Sequence, residues 1–204
     1  MNRVEILEKI NNHQPSILGL KNARNYSILL PLAEKNEELH IVFEIRSKDM
    51  RRQPGEVCFP GGKVDKEDQR EEDTAIRELS EELGIGWNQI SDLQSIGVLV
   101  SPFGMKVHAH VGFIEDMSPL ELNPAEVEDI FTVPLNHFLK TDPEVHYINF
   151  DVRPEDGFPY EDIANGESYQ WQSMKYEEHF YYYNDQVIWG LTARIIRDFI
   201  DLIK

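Results

Sequence analysis

The pattern of apolar and polar residues predicts a chain that alternates between strands and helices. Residues 26–32 and 39–45 are short apolar runs separated by a polar turn, which is the pattern of a β-hairpin. Two further runs, 97–100 and 107–114, predict another pair of strands, and 179–183 alternates as a half-buried strand does. The sequence therefore predicts a sheet of several strands.

A helix is predicted to end at Leu83, with Gly84 as its stop. Its start follows a highly charged segment, in which Asp68 and Glu71 form a candidate capping pair. The apolar side of this helix consists of Ala75, Ile76, Leu79 and Leu83. Residues 87–93 are interpreted as a connection to the next strand.

Four other helices are predicted from apolar spacing. A short one covers residues 4–11 at the N-terminus, and two more cover 125–130 and 136–139. The C-terminal residues 188–203 are strongly amphipathic, as expected of a helix packed on a sheet. Residues 141–176 are rich in aromatic residues, prolines and acids. They predict either a satellite core or oligomer contact, or an apolar wall for a ligand.

Three glutamates stand out on the helix that ends at Leu83. Glu78, Glu81 and Glu82 occupy relative positions 0, 3 and 4, which places them on one helical face. Like charges this close repel by roughly 0.2–0.5 kcal/mol per exposed pair. One interpretation is a solvated acid-rich helix. The other is a site for Mg²⁺ or Mn²⁺, which prefer oxygen ligands.

A glycine turn precedes these acids. Phe59-Pro60-Gly61-Gly62 would let the main chain approach a ligand or metal closely, because glycine has no Cβ. The loop 46–63 before the helix is basic, with five Lys and Arg residues against two acids. A basic run of this kind is either a solvated face or a site that grips anions.

The overall charge restricts the classes of partner. The chain has 204 residues and a formal net charge of −17, so non-specific binding to nucleic acid or to an anionic membrane is not expected. An acidic protein can still act on a polyanion if bound divalent cations neutralise the charge. The single cysteine, Cys58, excludes an intramolecular disulfide and is compatible with a reducing cytoplasm. Neither a membrane span nor a secretory signal is expected.

The stretch 59–85 resembles a Nudix box, Gly-x5-Glu-x7-Arg-Glu-U-x-Glu-Glu-x-Gly-U, where U is a bulky aliphatic residue. Its second half is matched without a gap by Arg77, Glu78, Leu79, Glu81, Glu82, Gly84 and Ile85. The first half departs from the pattern. Gly62 lies one residue too far upstream, and the first acidic position falls on either Asp68 or Gln69.

The longer first half is similar to that of the coenzyme A pyrophosphatase branch of Nudix hydrolases. Members of this branch carry Arg-Ser/Ala-x3-Arg-x3-Gly-x3-Phe-Pro-Gly-Gly before the box. The matching residues here are Arg46, Ser47, Arg51, Gly55 and Phe59 to Gly62. Weaker matches are Glu126-Val127 ahead of 131–135, and the segment 188–194.

The resemblance implies an α/β fold: a Nudix-type α/β/α sandwich with a central mixed sheet. We expect a single domain over 1–204, with 1–25 as a helical N-terminal extension and 141–176 as an insertion-like segment. The implied reaction is metal-dependent hydrolysis of coenzyme A or acyl-coenzyme A to 3′,5′-ADP and 4′-phosphopantetheine. Alternatives are a Nudix hydrolase of ADP-ribose or NADH, a non-catalytic nucleotide sensor, and a structural protein.

The resemblance also assigns roles to residues. The implied metal ligands for Mg²⁺ or Mn²⁺ are Glu78, Glu82, Glu81 and, more distantly, Glu126. The implied catalytic residues are Glu78, Glu81 and Arg77, and the implied substrate-binding residues are Arg46, Arg51, Gly61 and Gly62. Expected partners are a nucleotide substrate similar to coenzyme A and a second copy of the chain in a homodimer, with no nucleic acid or membrane. The expected location is the cytoplasm.

Overall fold

The sheet begins with a long hairpin. The structure is a computed structural model that describes residues 1–14, 17–118 and 120–204. Strands β1 (Arg24–Lys35) and β2 (Glu38–Arg46) pair antiparallel, with Lys35 opposite Glu38. Asn36 and Glu37 form the turn with φ of 54° and 63°. Their conformation is the left-handed one that tight hairpin turns require, and the predicted hairpin is confirmed.

Within the described residues the main sheet has seven strands, and it is mixed. Its order is β3-β2-β1-β6-β5, while β4 pairs with β1 and β7 pairs with β2. The other strands are β3 (Val57–Cys58), β4 (Gly61–Lys63), β5 (Ile90–Ser101), β6 (Met105–Ile114) and β7 (Val127–Pro134). β1 and β6 run parallel, and the remaining pairs are antiparallel.

Helices cover the two faces of this sheet. Alternate residues of β2 point to opposite faces, so Phe43 joins one buried core while Val42 joins the other. The Phe43 core contains the helix α4 (Gly190–Ile203), and the Val42 core contains the helix α2 (Glu71–Leu83). The predicted α/β/α sandwich with a central mixed sheet is confirmed.

Shorter elements surround the sandwich. α1 (Arg3–Asn11) confirms the predicted N-terminal helix, although its apolar residues are exposed, and α3 (Leu135–Lys140) confirms another prediction. In the described part of the chain, a second sheet consists of β8 (Glu144–Phe150), β9 (Met174–Tyr183) and β10 (Gln186–Trp189). No helix in the described residues is long and apolar enough to cross a membrane.

Two predicted helices were wrong in part or in full. Residues 125–130 do not form a helix, because β7 begins at Val127 and pairs along β2, with Val133 opposite Ile41. The C-terminal helix begins at Gly190 rather than at 188, since Trp189 belongs to β10 and pairs with Phe180 of β9. In both cases pairing with another strand outweighs the local helical pattern.

Two local predictions around α2 were also wrong. The predicted connection 87–93 already contains the start of β5 at Ile90. Asp68 does not cap the helix with Glu71; instead the Asp73 carboxylate accepts a hydrogen bond from the backbone N–H of Arg70 at 3.1 Å. The predicted end at Leu83 is confirmed, with Gly84 at φ 70°.

Gly84 generates a prediction about stability. A Cβ there would lie 2.8 Å from the backbone oxygen of Glu121, in addition to the strain of a positive φ. Gly84→Ala should lower the free energy of unfolding by about 3 kcal/mol, measured by urea denaturation. Gly104→Ala is the matched control, because Gly104 has the same φ of 70° but no atom within 4 Å of its Cβ position among the described residues. Equal losses in both variants would show that the contact with Glu121 has no effect.

Candidate active site

The helix α2 presents its acids beside the glycine turn because its opposite side is anchored in the core. Ala75, Leu79 and Leu83 are fully buried. The segment between β6 and β7 is tied to the end of the helix, since the backbone N–H of Asn123 donates to the carbonyl of Glu82 at 2.9 Å. Core packing along one side of the helix and this hydrogen bond at its end together fix the orientation of the acidic face.

Glu82 is the most enclosed of the three helical glutamates. Only 4% of the residue is exposed, and its Oε2 accepts a hydrogen bond from the backbone N–H of Gly61 at 3.0 Å. Burial, and next the charge of Glu44, raise the pKa of Glu82 to about 9. A carboxyl group with this environment favours either a proton or a cation.

Glu78 occupies space that Gly62 leaves open. A Cβ on Gly62 would lie 2.3 Å from the Glu78 carboxyl carbon, so any larger residue would displace that side chain. The Oε1 of Glu78 accepts a hydrogen bond from Nη1 of Arg77 at 2.8 Å. Burial raises the pKa of Glu78. Gly61 and Gly62 therefore contact Glu82 and Glu78, respectively.

Arg77 connects the remaining acids of the box. Its guanidinium donates to both oxygens of Asp68, at 3.2 and 3.0 Å, and to Glu81 at 3.3 Å. Arg77 lowers the pKa of Asp68 to about 2. The sequence left the first acidic position of the box open between Asp68 and Gln69. In the structure Asp68 binds Arg77, while Gln69 is exposed.

Glu81 lies at the edge of the cluster. Its side chain is 56% exposed and contacts the same Nη1 of Arg77 that binds Glu78. It is the least buried of the three helical glutamates, so the local helical pattern alone did not distinguish its environment from that of Glu82.

Glu126 is brought to the same region by the loop before β7. Its backbone oxygen accepts a hydrogen bond at 2.8 Å from the N–H of Ser47, the residue that follows β2. Burial is the main cause of the raised pKa values of Glu44, Glu78 and Glu82, and the negative charge of Glu126 adds to it. The structure thus places this distant residue within electrostatic reach of the box.

Glu44 is a buried acid that the sequence analysis missed. It lies on β2 with 1% of its surface exposed, on the same face as Val42 and α2. The thiol of Cys58 donates to its Oε1 at 3.0 Å, while its Oε2 is buried without a hydrogen-bond partner among the described residues. Burial raises the pKa of Glu44 to about 7. The sequence feature that could have identified Glu44 is a single acid within an apolar strand.

The two candidate arginines differ in their surroundings. Arg46 is half-buried, its Nη1 lies 4.0 Å from the Cys58 sulfur, and its buried Nε has no partner among the residues described. Arg51 is exposed on the loop between β2 and β3. The structure brings Arg46, but not Arg51, beside the buried acids.

The side chains present fit a hard divalent cation. The donors are carboxylate oxygens, the type that Mg²⁺ and Mn²⁺ prefer, and the unpartnered Oε2 of Glu44 adds a buried acceptor to those of Glu78 and Glu82. Within residues 1–14, 17–118 and 120–204, however, no three acidic, His or Cys side chains already form a metal cluster. The chain therefore has side chains of the right type for such a cation, but in the described residues they are not arranged as a complete set of ligands.

Comparison with known proteins identifies the family. The family model of the NUDIX domain matches residues 22–153. The chain belongs to the Nudix family. An uncharacterized Nudix hydrolase, NudL, of Photorhabdus laumondii is 31% identical over 183 residues, covering 90% of this chain and 87% of the relative. The solved MutT/nudix family protein of Enterococcus faecalis matches with a TM-score of 0.51 at 16% identity, over 100% of this chain and 70% of that one.

Other Nudix relatives confirm the resemblance to the coenzyme A branch. A peroxisomal coenzyme A diphosphatase of Mus musculus is 36% identical over 126 residues, and one of Caenorhabditis elegans is 40% identical over 119. These matches cover 62% and 56% of this chain. The chain spans about half the length of these two relatives, 52% and 49%.

The pairing of Asp68 with Arg77 generates a prediction with a pH dependence. Asp68→Asn should lower the free energy of unfolding by about 1.5–3 kcal/mol at pH 7, because it weakens a charged hydrogen-bond pair. The folded-state pKa of Asp68 is depressed, so its contribution is complete above the ordinary value of 3.8 and is lost as the pH falls through about 2. Urea denaturation of both proteins across this range measures the difference. A difference that stays constant down to pH 2 would contradict the assignment.

Proposed function

We propose that this Nudix protein hydrolyses the diphosphate bond of coenzyme A or its acyl derivatives, forming 3′,5′-ADP and 4′-phosphopantetheine or its acyl form. The main support is the contact between the glycine turn and α2, in which Gly61 binds Glu82 and Gly62 makes room for Glu78. The relatives named coenzyme A diphosphatases support the substrate class. Hydrolysis of ADP-ribose or NADH remains the alternative.

Nudix hydrolases generally use divalent metal ions. We assign Mg²⁺ or Mn²⁺ to the carboxylates of Glu78 and Glu82, with Glu126, Glu81 and the buried Glu44 as further oxygen donors and a carbonyl of Gly61 or Gly62 completing the set. Such an ion neutralises phosphate oxygens and lowers the pKa of a bound water. The strong negative charge of the chain is consistent with this requirement, since a polyanionic substrate would otherwise be repelled.

The side chains have separate roles in the hydrolysis. A water oxygen attacks one phosphorus while the bond to the bridging oxygen breaks, and the other phosphate leaves. Arg77 holds Oε1 of Glu78 at 2.8 Å, which leaves Oε2 either as a metal donor or as the oxygen that takes the proton of the water. Arg77 acts as a positioning residue for Glu78 and Glu81, and Asp68 holds Arg77 in turn.

Arginines of the basic loop bind the substrate phosphates in this proposal. Arg46 lies near the buried Glu44, and a guanidinium is suited to bidentate contacts with phosphate oxygens. Arg51 lies on the adjacent exposed loop, where it is a second candidate for binding a substrate phosphate. The predicted homodimer and cytoplasmic location remain predictions.

Glu82→Gln should abolish Mg²⁺-dependent turnover with little loss of stability, because glutamine keeps the shape of the side chain and removes the charge. Turnover of coenzyme A and the affinity for Mn²⁺, measured by titration calorimetry, are the two readouts. Glu72→Gln on the same helix is the matched control and should retain both. A kcat for Glu82→Gln near that of the unmodified protein, at saturating metal, would remove Glu82 from the set of ligands.

The substrate class is tested with a panel of compounds. Coenzyme A, acyl-coenzyme A, 3′-dephospho-coenzyme A, NADH and ADP-ribose are each incubated with Mg²⁺ and with Mn²⁺, and the products are identified by mass. We expect the highest kcat/KM for coenzyme A or an acyl derivative, with 3′,5′-ADP as a product. A higher kcat/KM for ADP-ribose or NADH would favour the alternative.

A further inference from the structure

A cavity of about 330 Å³ lies beside the proposed site of hydrolysis. Its walls come from the ends of β2 and β3, the turn between β5 and β6, strand β9, and the first turn of α4. The residues that line it include Arg46, Phe103, Tyr176, Glu178, Trp189 and Leu191. Its size is at the lower end of the range of small-molecule sites, about 300–1,000 Å³.

The cavity lies close to the glycine turn. Cys58 forms part of its wall, and Gly61, which binds Glu82, follows three residues later. Three extended residues span at most about 11 Å. Arg46 lies between the two regions, since it lines the cavity and contacts Cys58, which in turn binds Glu44. The cavity and the proposed site of hydrolysis are therefore close enough for one ligand to contact both.

Three aromatic rings in the cavity wall each pack against another side chain. Phe103 packs edge-on against Phe150 with centroids 5.6 Å apart, and Trp189 stacks on Phe180 at 5.7 Å and 13°. The Tyr176 ring has the guanidinium of Arg194 4.5 Å from its centroid. Phe103 is nevertheless 56% exposed. Rings held in this way favour a flat aromatic partner, because stacking needs little reorganisation.

The polar groups of the cavity wall include the guanidinium of Arg46 and the carboxylate of Glu178. The buried Nε of Arg46 has no partner in the described part of the chain. The first turn of α4, which includes Leu191, lacks a side-chain cap among the described residues and so adds backbone N–H donors that favour an anion. The carboxylate of Glu178 faces the same space, and the other acid of the wall, Glu56, accepts from Gln53 at 2.9 Å.

We infer that this cavity binds the adenosine 3′-phosphate end of the substrate, with the adenine between Phe103 and Trp189. This inference rests on the proposed function and specifies which half of coenzyme A enters the cavity. Arg46 binds the 3′-phosphate, and Glu178 accepts a hydrogen bond from the 6-amino group of adenine. The pantetheine arm has neither a flat ring nor an anion, so it matches neither the aromatic rings nor Arg46, and we place it outside the cavity.

Phe103→Ala tests the stacking. The dissociation constants of 3′,5′-ADP and of 4′-phosphopantetheine are measured by titration calorimetry on the full chain. We expect the affinity for 3′,5′-ADP to fall about 5- to 150-fold, while the affinity for 4′-phosphopantetheine is unchanged. Trp87→Ala is the matched control, because Trp87 is 53% exposed, similar to Phe103, and does not line the cavity. It should leave both constants unchanged.

Two further variants test the polar contacts. Arg46→Ala should reduce the preference for 3′,5′-ADP over 5′-AMP, because the 3′-phosphate loses its partner. Glu178→Gln should reduce the preference for 3′,5′-ADP over its inosine analogue, which lacks the 6-amino group. Folding of each variant is checked by its urea midpoint. If Arg46→Ala or Glu178→Gln leaves its preference intact, the corresponding contact is wrong.

The outcomes separate this inference from the proposed function. If Phe103→Ala weakens 4′-phosphopantetheine instead of 3′,5′-ADP, or changes neither affinity, the inference is overturned even when coenzyme A is cleaved normally. If the unmodified protein does not cleave coenzyme A but binds 3′,5′-ADP in a Phe103-dependent manner, the cavity assignment stands and the proposed function falls.

Discussion

The close approach of the glycine turn to the acidic face of α2 is the constraint on which the site depends. Gly61 provides the N–H that holds Glu82, and Gly62 leaves the space that Glu78 fills. A side chain at either position would collide with a neighbouring group within 3 Å. The turn and the helix are therefore one unit, and the position of the carboxylates follows from backbone geometry rather than from side-chain packing alone.

Several like charges coexist in this small region because each is held by a specific partner. Arg77 serves Asp68, Glu78 and Glu81 at once, and Cys58 donates to Glu44. Burying a carboxylate is costly, so the pKa values of the buried Glu44, Glu78 and Glu82 are raised. The arrangement concentrates carboxyl groups whose ionised form a bound cation would stabilise.

The split in the sheet explains why these groups meet. β1 pairs with β4 near its start, through Ile28 and Gly61, but with β2 near its end, from Leu32 onward. The far end of β2 therefore separates from β1 and pairs with β3 and β7. Glu44 and Arg46 lie on this separated end, between the acidic helix on one side and the aromatic cavity on the other.

The sequence by itself determined the features that depend on local spacing. The hairpin, the end of α2 at Gly84, and the shared helical face of Glu78 and Glu82 follow from residues a few positions apart. The tertiary structure alone decided that 127–134 is a strand, that Asp68 binds Arg77, and that Glu44 and the aromatic cavity adjoin the box. These features depend on pairing and burial between segments far apart in the chain, which local patterns do not encode.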